Sequence, residues 1–166
     1  MSADSDSDLF KLAVKVGHHL ANSQRQLVAA ESCTGGWVAK TLTDVPGSSA
    51  WFLGGAVAYS NTLKQSMLKV SAETLNVHGA VSDATVREMA TGALEMLGGQ
   101  IACSISGIAG PGGAAPGKPV GTVWFGWAWR HGQAVHTLTR LKIIDGDRET
   151  VRRRSVATAL NGVLEI

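Results

Sequence analysis

The chain has 166 residues, of which 45% are hydrophobic and 17% charged, with a formal net charge of +2. That length suits one domain with a sizeable core, the composition excludes a largely disordered chain, and the small net charge lacks the basic footprint of a nucleic-acid binder. Cys33 and Cys103 form neither a C-x-x-C pair nor a disulfide framework, so reduced thiols in a cytoplasmic protein are expected.

Residues 1–8 are rich in Ser and Asp and lack the cationic start and apolar core of a signal peptide. They read as a flexible acidic tail ahead of one domain, 9–166. No stretch approaches the roughly 20 apolar residues of a membrane span, and no membrane association is expected.

Leu9, Leu12, Val16 and Leu20 recur at helical spacing, with Asp8 as a candidate cap. Residues 26–30 form a short apolar strand that stops at the turn 31–36, and a helix resumes over 37–42. Residues 50–59 read as a buried strand and 61–70 as a helix. Ser82 or Asp83 can cap a longer helix to about Leu97, with Val86, Met89, Ala90, Ala93 and Leu94 on one face. A strand over 101–106 follows.

Residues 107–121 hold six glycines and three prolines, which excludes helix and marks a loop. In the strand 120–129, Val123, Phe125, Trp127 and Trp129 share one face while Trp124, Gly126 and Ala128 share the other. Both faces are apolar, so the strand is central. Residues 135–144 pair with it antiparallel, since the link at His131-Gly132 is too short for a crossover. A helix over 147–160 ends the chain. The pattern predicts an α/β fold: a single three-layer α/β/α domain on a mixed, mostly parallel sheet with a late antiparallel hairpin.

The glycine loop contains two false motifs. Gly112 to Lys118 fits the first seven positions of G-x-x-x-x-G-K-[ST], and Gly110, Gly112 and Ala115 mimic a dinucleotide fingerprint. Pro119 replaces the magnesium-binding hydroxyl and a strand follows instead of a helix, so both fail. What remains is a run of backbone amides able to cradle an anion, or else a surface connector.

In the turn 31–36, Ser32 can sit among free amide donors that stabilise an oxyanion; alternatively Ser32 or Thr34 simply caps the next helix. Lys64 lies one turn beyond Ser60 and, if desolvated, can act as a general base, whereas an exposed lysine is the plainer alternative. Cys33 is a rival nucleophile or a packing residue. The five histidines show no metal-ligand spacing, and no zinc site is expected. Arg152, Arg153 and Arg154 form either a solvated helix face or a nucleic-acid patch.

Several motifs go further: Ala30-Glu31-Ser32-Cys33-Thr34-Gly35-Gly36, Gly47-Ser48-Ser49-Ala50-Trp51-Phe52, Tyr59-Ser60-Asn61, His78-Gly79-Ala80-Val81-Ser82, Ser106-Gly107-Ile108-Ala109-Gly110-Pro111, Lys118-Pro119-Val120-Gly121-Thr122 and Gly146-Asp147-Arg148. From the first helix to the last, the chain resembles the C-terminal domain family of the competence-damage-inducible CinA proteins, whose stand-alone form is a nicotinamide-nucleotide amidohydrolase.

The resemblance implies cofactor-free hydrolysis of nicotinamide mononucleotide to nicotinate mononucleotide and ammonia, in pyridine nucleotide recycling. It makes Ser32 the nucleophile, Lys64 the general base and Tyr59 a proton relay or orienting hydroxyl. Ser49 and Ser106 are expected to line the pocket, with Thr34, Gly35 and Gly36 holding the oxyanion. Gly107, Gly110, Gly112 and Arg148 are expected to receive the ribose phosphate. A homo-oligomer, with a dimer favoured, and no nucleic-acid partner are also expected. One departure is visible: the family commonly has Gly-Pro-Asp-Gly-Gly, and here Gly112 stands in place of the acid. The competing readings are a nucleotide-binding module without catalysis and a DNA-uptake or repair factor.

Overall fold

The computed structural model describes residues 5–166. Helix α1 spans Asp6–Asn22 and buries Leu9, Leu12, Val16 and Leu20, the predicted stripe. Its cap is Ser5, whose hydroxyl oxygen accepts from the Asp8 amide at 3.2 Å, so Asp8 lies inside the first turn instead of ahead of it. Of the predicted tail, residues 1–4 lie outside the described residues.

Strand β1 (Leu27–Glu31) leads through α2 (Trp37–Thr43) and a 3-10 turn at Ser48–Ala50 to β2 (Phe52–Val57). Then come α3 (Asn61–Leu68), α4 (Ala72–His78), α5 (Asp83–Leu97), β3 (Ile101–Gly107), β4 (Thr122–His131), β5 (Ala134–Ile143) and α6 (Arg148–Val163). The sheet order is β2-β1-β3-β4-β5. β1 pairs parallel with β2 and β3, whereas β3 with β4 and β4 with β5 are antiparallel. The sheet is therefore mixed, and its antiparallel half begins at β4. The glycine-rich link from β3 to β4 contains no helix to carry the chain back for a parallel return.

One face of the sheet packs on α1, α2 and α6 and the other on α5 with its neighbour α3, giving the three expected layers. Strand β4 explains both. Val123, Phe125 and Trp127 enter the α6 side, Ala128 the α5 side, and the buried Trp127 indole donates to the Ala159 carbonyl at 3.0 Å. A buried indole N–H needs such an acceptor.

Helix α4 and the 3-10 turn escaped the sequence reading. The sign of α4 was Ser71, whose hydroxyl oxygen accepts from the Thr74 amide at 2.9 Å, a Ser cap on a helix too short to show periodicity. Among the described residues no helix is long and apolar enough to cross a membrane.

Candidate active site

The carboxyl ends of the three parallel strands open onto one place, where ligands bind in open α/β sheets. Strand β1 runs through four buried apolar residues and then reaches Glu31, only 1% exposed. Its carboxylate accepts the Thr34 hydroxyl at 2.7 Å and the amides of Gly36 at 3.0 Å, Val38 at 3.1 Å and Ala39 at 2.9 Å. A buried acid is tolerated only when so satisfied, and these amides are the donors that the start of α2 leaves unpaired. Glu31, and neither Ser32 nor Thr34, supplies the side-chain cap of α2.

This alters the expected oxyanion site. The Gly36 amide serves Glu31, and the Gly35 amide donates to the Ser32 carbonyl at 3.0 Å. Gly35 and Gly36 therefore shape the turn, with φ of 61° and 93°, instead of offering their amides to a ligand. Among the described residues, the amides of Cys33 and Thr34 take no main-chain or carboxylate acceptor.

Ser32 is brought to Lys64 by the pairing of β1 with β2. The chain leaves β2 at Val57, Ser60 caps α3, and one turn later Lys64 points back beneath the Ser32 turn. Its Nζ lies 2.9 Å from Ser32 Oγ, 3.0 Å from the Ala58 carbonyl and 3.1 Å from the Tyr59 carbonyl. Lys64 is 1% exposed, and burial lowers its pKa below the ordinary lysine range, against a smaller raising effect of Cys33. Three acceptors suit an ammonium. They suit a neutral amine equally: its two N–H groups go to the carbonyls and its lone pair receives the Ser32 hydroxyl.

Cys33 points into the core beside α1 and α2, and burial pushes its thiol up to about 11, so it is protonated and poorly nucleophilic at neutral pH. Cys103 is likewise raised, to about 12, by burial.

Tyr59 offers Lys64 its carbonyl, while the residue is 59% exposed and its hydroxyl lies 3.4 Å from Arg148 Nη2. Arg148, at the start of α6, also donates to the Gly110 carbonyl at 2.8 Å, tying the glycine loop to the Tyr59 turn. At Gly110 φ is 82° and a Cβ would lie 2.5 Å from Val120, so only glycine fits. The Lys118 ammonium donates to the His78 carbonyl at 3.0 Å and anchors the other end of the loop. The amides of Gly110, Gly112 and Gly113 make no main-chain bond among the described residues, and Gly112 is exposed.

Ser106 is the β3 residue beside Ser32, since the Ser32 amide donates to the Ile105 carbonyl at 3.1 Å. Its hydroxyl donates to the Ala80 carbonyl at 2.7 Å, and Gly107 closes the strand. Ser49 is not with them. It precedes β2, and because β1 and β2 run parallel it sits, exposed, at the amino end of the sheet. A strand of this length places it about 16 Å from Ser32.

Arg152 was visible in the sequence only as part of an arginine run. Its Nε donates to the Cys33 carbonyl at 3.0 Å and its Nη2 to the Thr34 carbonyl at 2.9 Å. Arg153 pairs with Glu149 and Asp6, and both guanidinium groups stack on Trp37. Among the described residues no group of three or more His, Cys, Asp or Glu could hold a metal ion.

The model of the CinA C-terminal domain matches residues 9–166. The chain belongs to this family. It is 51% identical over 156 residues to the nicotinamide-nucleotide amidohydrolase PncC of Escherichia coli (strain K12), covering 94% of this chain and 93% of the relative. It is 45% identical over 155 residues to the protein of the same name from Pseudomonas putida, covering 93% and 94%. Among solved structures, the competence damage-inducible protein A of Klebsiella pneumoniae superposes with a TM-score of 0.89 at 42% identity, over 95% of each chain. Family membership agrees with the resemblance carried by the turn and loop motifs, and the structural match agrees with the α/β fold.

Proposed function

We propose that the chain hydrolyses the carboxamide of nicotinamide mononucleotide to nicotinate mononucleotide and ammonia, with Ser32 as nucleophile and Lys64 as general base. The observation that carries this reading is the contact of 2.9 Å between a nearly fully buried lysine amine and a serine hydroxyl at the end of β1. The nicotinamide-nucleotide amidohydrolases among the relatives support the substrate class. A nucleotide-binding module without catalysis has no need of a desolvated lysine at a serine, and that favours the enzyme.

In the first half-reaction Ser32 Oγ bonds to the carboxamide carbon as its proton passes to neutral Lys64. The negative charge on the carbonyl oxygen is met by a main-chain amide of the Ser32 turn. The C–N bond then breaks, Lys64 returns the proton to nitrogen, and ammonia leaves an ester on Ser32. Water, deprotonated by Lys64, attacks the ester; the C–O bond to Ser32 breaks and Ser32 regains its proton from Lys64. Arg148 and the free amides of the loop offer the ribose phosphate a cation and N–H donors, and the exposed Tyr59 brings its hydroxyl to Arg148. No step requires a metal or cofactor.

The internal bonds of Arg152 and Arg153 favour a small-molecule substrate over DNA, and the exposed apolar side chains of Val57, Leu63 and Met67 near Tyr59 support the homo-oligomer. Incubation with nicotinamide mononucleotide tests the reaction. One equivalent of ammonia, one 18O in the acid product formed in H2 18O, and a hydroxamate on adding hydroxylamine are expected, with or without a chelator. Ammonia release without any hydroxamate would remove the ester on Ser32; no ammonia release would remove the hydrolase reading.

A further inference from the structure

We propose that the free edge of β2 docks a second copy of this chain, the two β2 strands pairing antiparallel about a twofold axis and joining two five-stranded sheets into one. The inference gives the homo-oligomer reading its surface and rests on that reading.

It follows from where the main-chain groups of β2 point. The sheet has two edges, β2 and β5. Along a strand the N–H and C=O of one residue point to the same side, and successive residues alternate. The Ala58 amide donates to the Glu31 carbonyl of β1 at 2.9 Å, so the N–H and C=O of Val57, and those of Gly55, point off the sheet. Among the described residues these groups take no other main-chain partner. Gly55 is exposed and has no side chain, so what is open there is the main chain itself. Such an edge is a template for another strand.

The charge pattern selects the occupant. Edges are blunted with charged residues, proline or bulges. A bulge bends the start of β2 at Leu53, but Gly54–Val57 beyond it pairs regularly with β1. From Val45 to Leu63 there is no charged residue and no histidine, and Leu53 and Val57 are exposed apolar side chains. A twofold contact sets a strand against its own copy, so any charge on it would meet its like. An uncharged strand suits self-pairing, whereas a partner recognised by charge would find nothing to hold. The β5 edge is the contrast: it carries His136, Arg140 and Lys142, and self-pairing there would bring cations together.

The outward groups also set the register. Residues that exchange both N–H···O bonds face one another in an antiparallel ladder. Gly55 opposite the partner's Val57, and Val57 opposite the partner's Gly55, use all four outward groups of each copy with the axis at Ala56. The two Val57 side chains then lie on one face as diagonal neighbours, about 7–8 Å apart, within reach of long side chains. The next residues along each chain, Ala58 and Tyr59, supply the carbonyls that hold Lys64.

Sedimentation equilibrium and amide hydrogen exchange on the full chain test the proposal. The wild type is expected at about twice 17.3 kDa at micromolar concentration. Exchange at the Gly55 and Val57 amides should slow as dimer forms, while the Ala58 amide is protected throughout. Val57→Lys and Val57→Glu should each weaken the dimer about 10 fold or more, and mixing the two should restore a heterodimer. A control change at Val77, an exposed apolar residue of α4, to Lys should leave the dimer intact. A wild type that stays monomeric overturns the homo-oligomer reading and the inference with it. A wild-type dimer whose Gly55 and Val57 amides exchange as fast as in the monomer overturns the inference alone. So does a dimer unweakened in Val57→Lys, or a mixture of the two folded variants that forms no heterodimer. Should the Val57 variants fail to fold, exchange at the two wild-type amides decides.

Discussion

The Glu31 carboxylate accepts the Thr34 hydroxyl at 2.7 Å across the turn that carries Ser32. The acid nearest the nucleophile therefore points away from it, into the start of α2, and holds the turn from beneath. In Glu31→Gln one oxygen can keep its three donors, but the new NH2 group must face the Ala39 amide. A buried donor left without an acceptor costs roughly 1–3 kcal/mol. Chemical denaturation should show that loss, with activity lowered and the pH midpoint unmoved; unchanged stability would mean the carboxylate is not the cap.

Ser32→Ala should cost at least several hundredfold in activity, as removal of one member of a catalytic unit does. Cys33→Ala should retain most of it, because the thiol is buried and raised to about 11. Alkylation of the folded protein at pH 7.5, followed by intact mass, should be slow at both cysteines. Rapid labelling of Cys33 with loss of turnover would reverse the two assignments.

Lys64→Arg and Lys64→Met should both be inactive, because a guanidinium cannot give up its proton and a thioether cannot take one. The wild-type rate should rise with pH through a midpoint below the ordinary lysine value of about 10.4. Stability carries the same sign. Between the lowered folded pKa and the ordinary unfolded one, the unfolded chain binds a proton that the folded chain does not, so stability gained from this group rises with pH across that window. Below the folded pKa that gain is absent. Denaturation of Lys64→Met across the same pH range should lack the rise.

Arg148→Ala should raise KM for the mononucleotide about 10 to 100 fold, the range given by a lost hydrogen bond to a charged group of roughly 1.5–3 kcal/mol. Turnover of plain nicotinamide, which lacks the ribose phosphate, should not change. Equal losses on both substrates would place Arg148 in loop support instead of phosphate contact.

Local chemistry made much of the fold readable. The two apolar faces of β4 placed it inside the sheet, and the glycines and prolines after Gly107 excluded a helix there. Motif resemblance named Ser32 and Lys64, but only the pairing of β1 with β2 makes them neighbours. Ser49 was misplaced because a motif names residues without saying at which end of a strand they fall. Glu31 stood unread beside Ser32, since sequence does not reveal whether an acid is buried or which amides it meets. Arg152 was hidden for the opposite reason: three consecutive arginines suggest solvent or a polyanion, and only tertiary structure turns one of them inward.

The Ser32 turn and the glycine loop are both braced from α6. Arg152 reaches the carbonyl of Cys33 across 119 residues of sequence, and Arg148 reaches Gly110 from the same helix. At a synthesis rate of roughly 5–20 residues per second, the nucleophile turn is made about 6–24 s before the arginine that clasps it. A nascent chain, or one cut short before α6, carries both Ser32 and Lys64 without that clasp. The nucleophile turn therefore stays without its clasp until α6 has been made and docked.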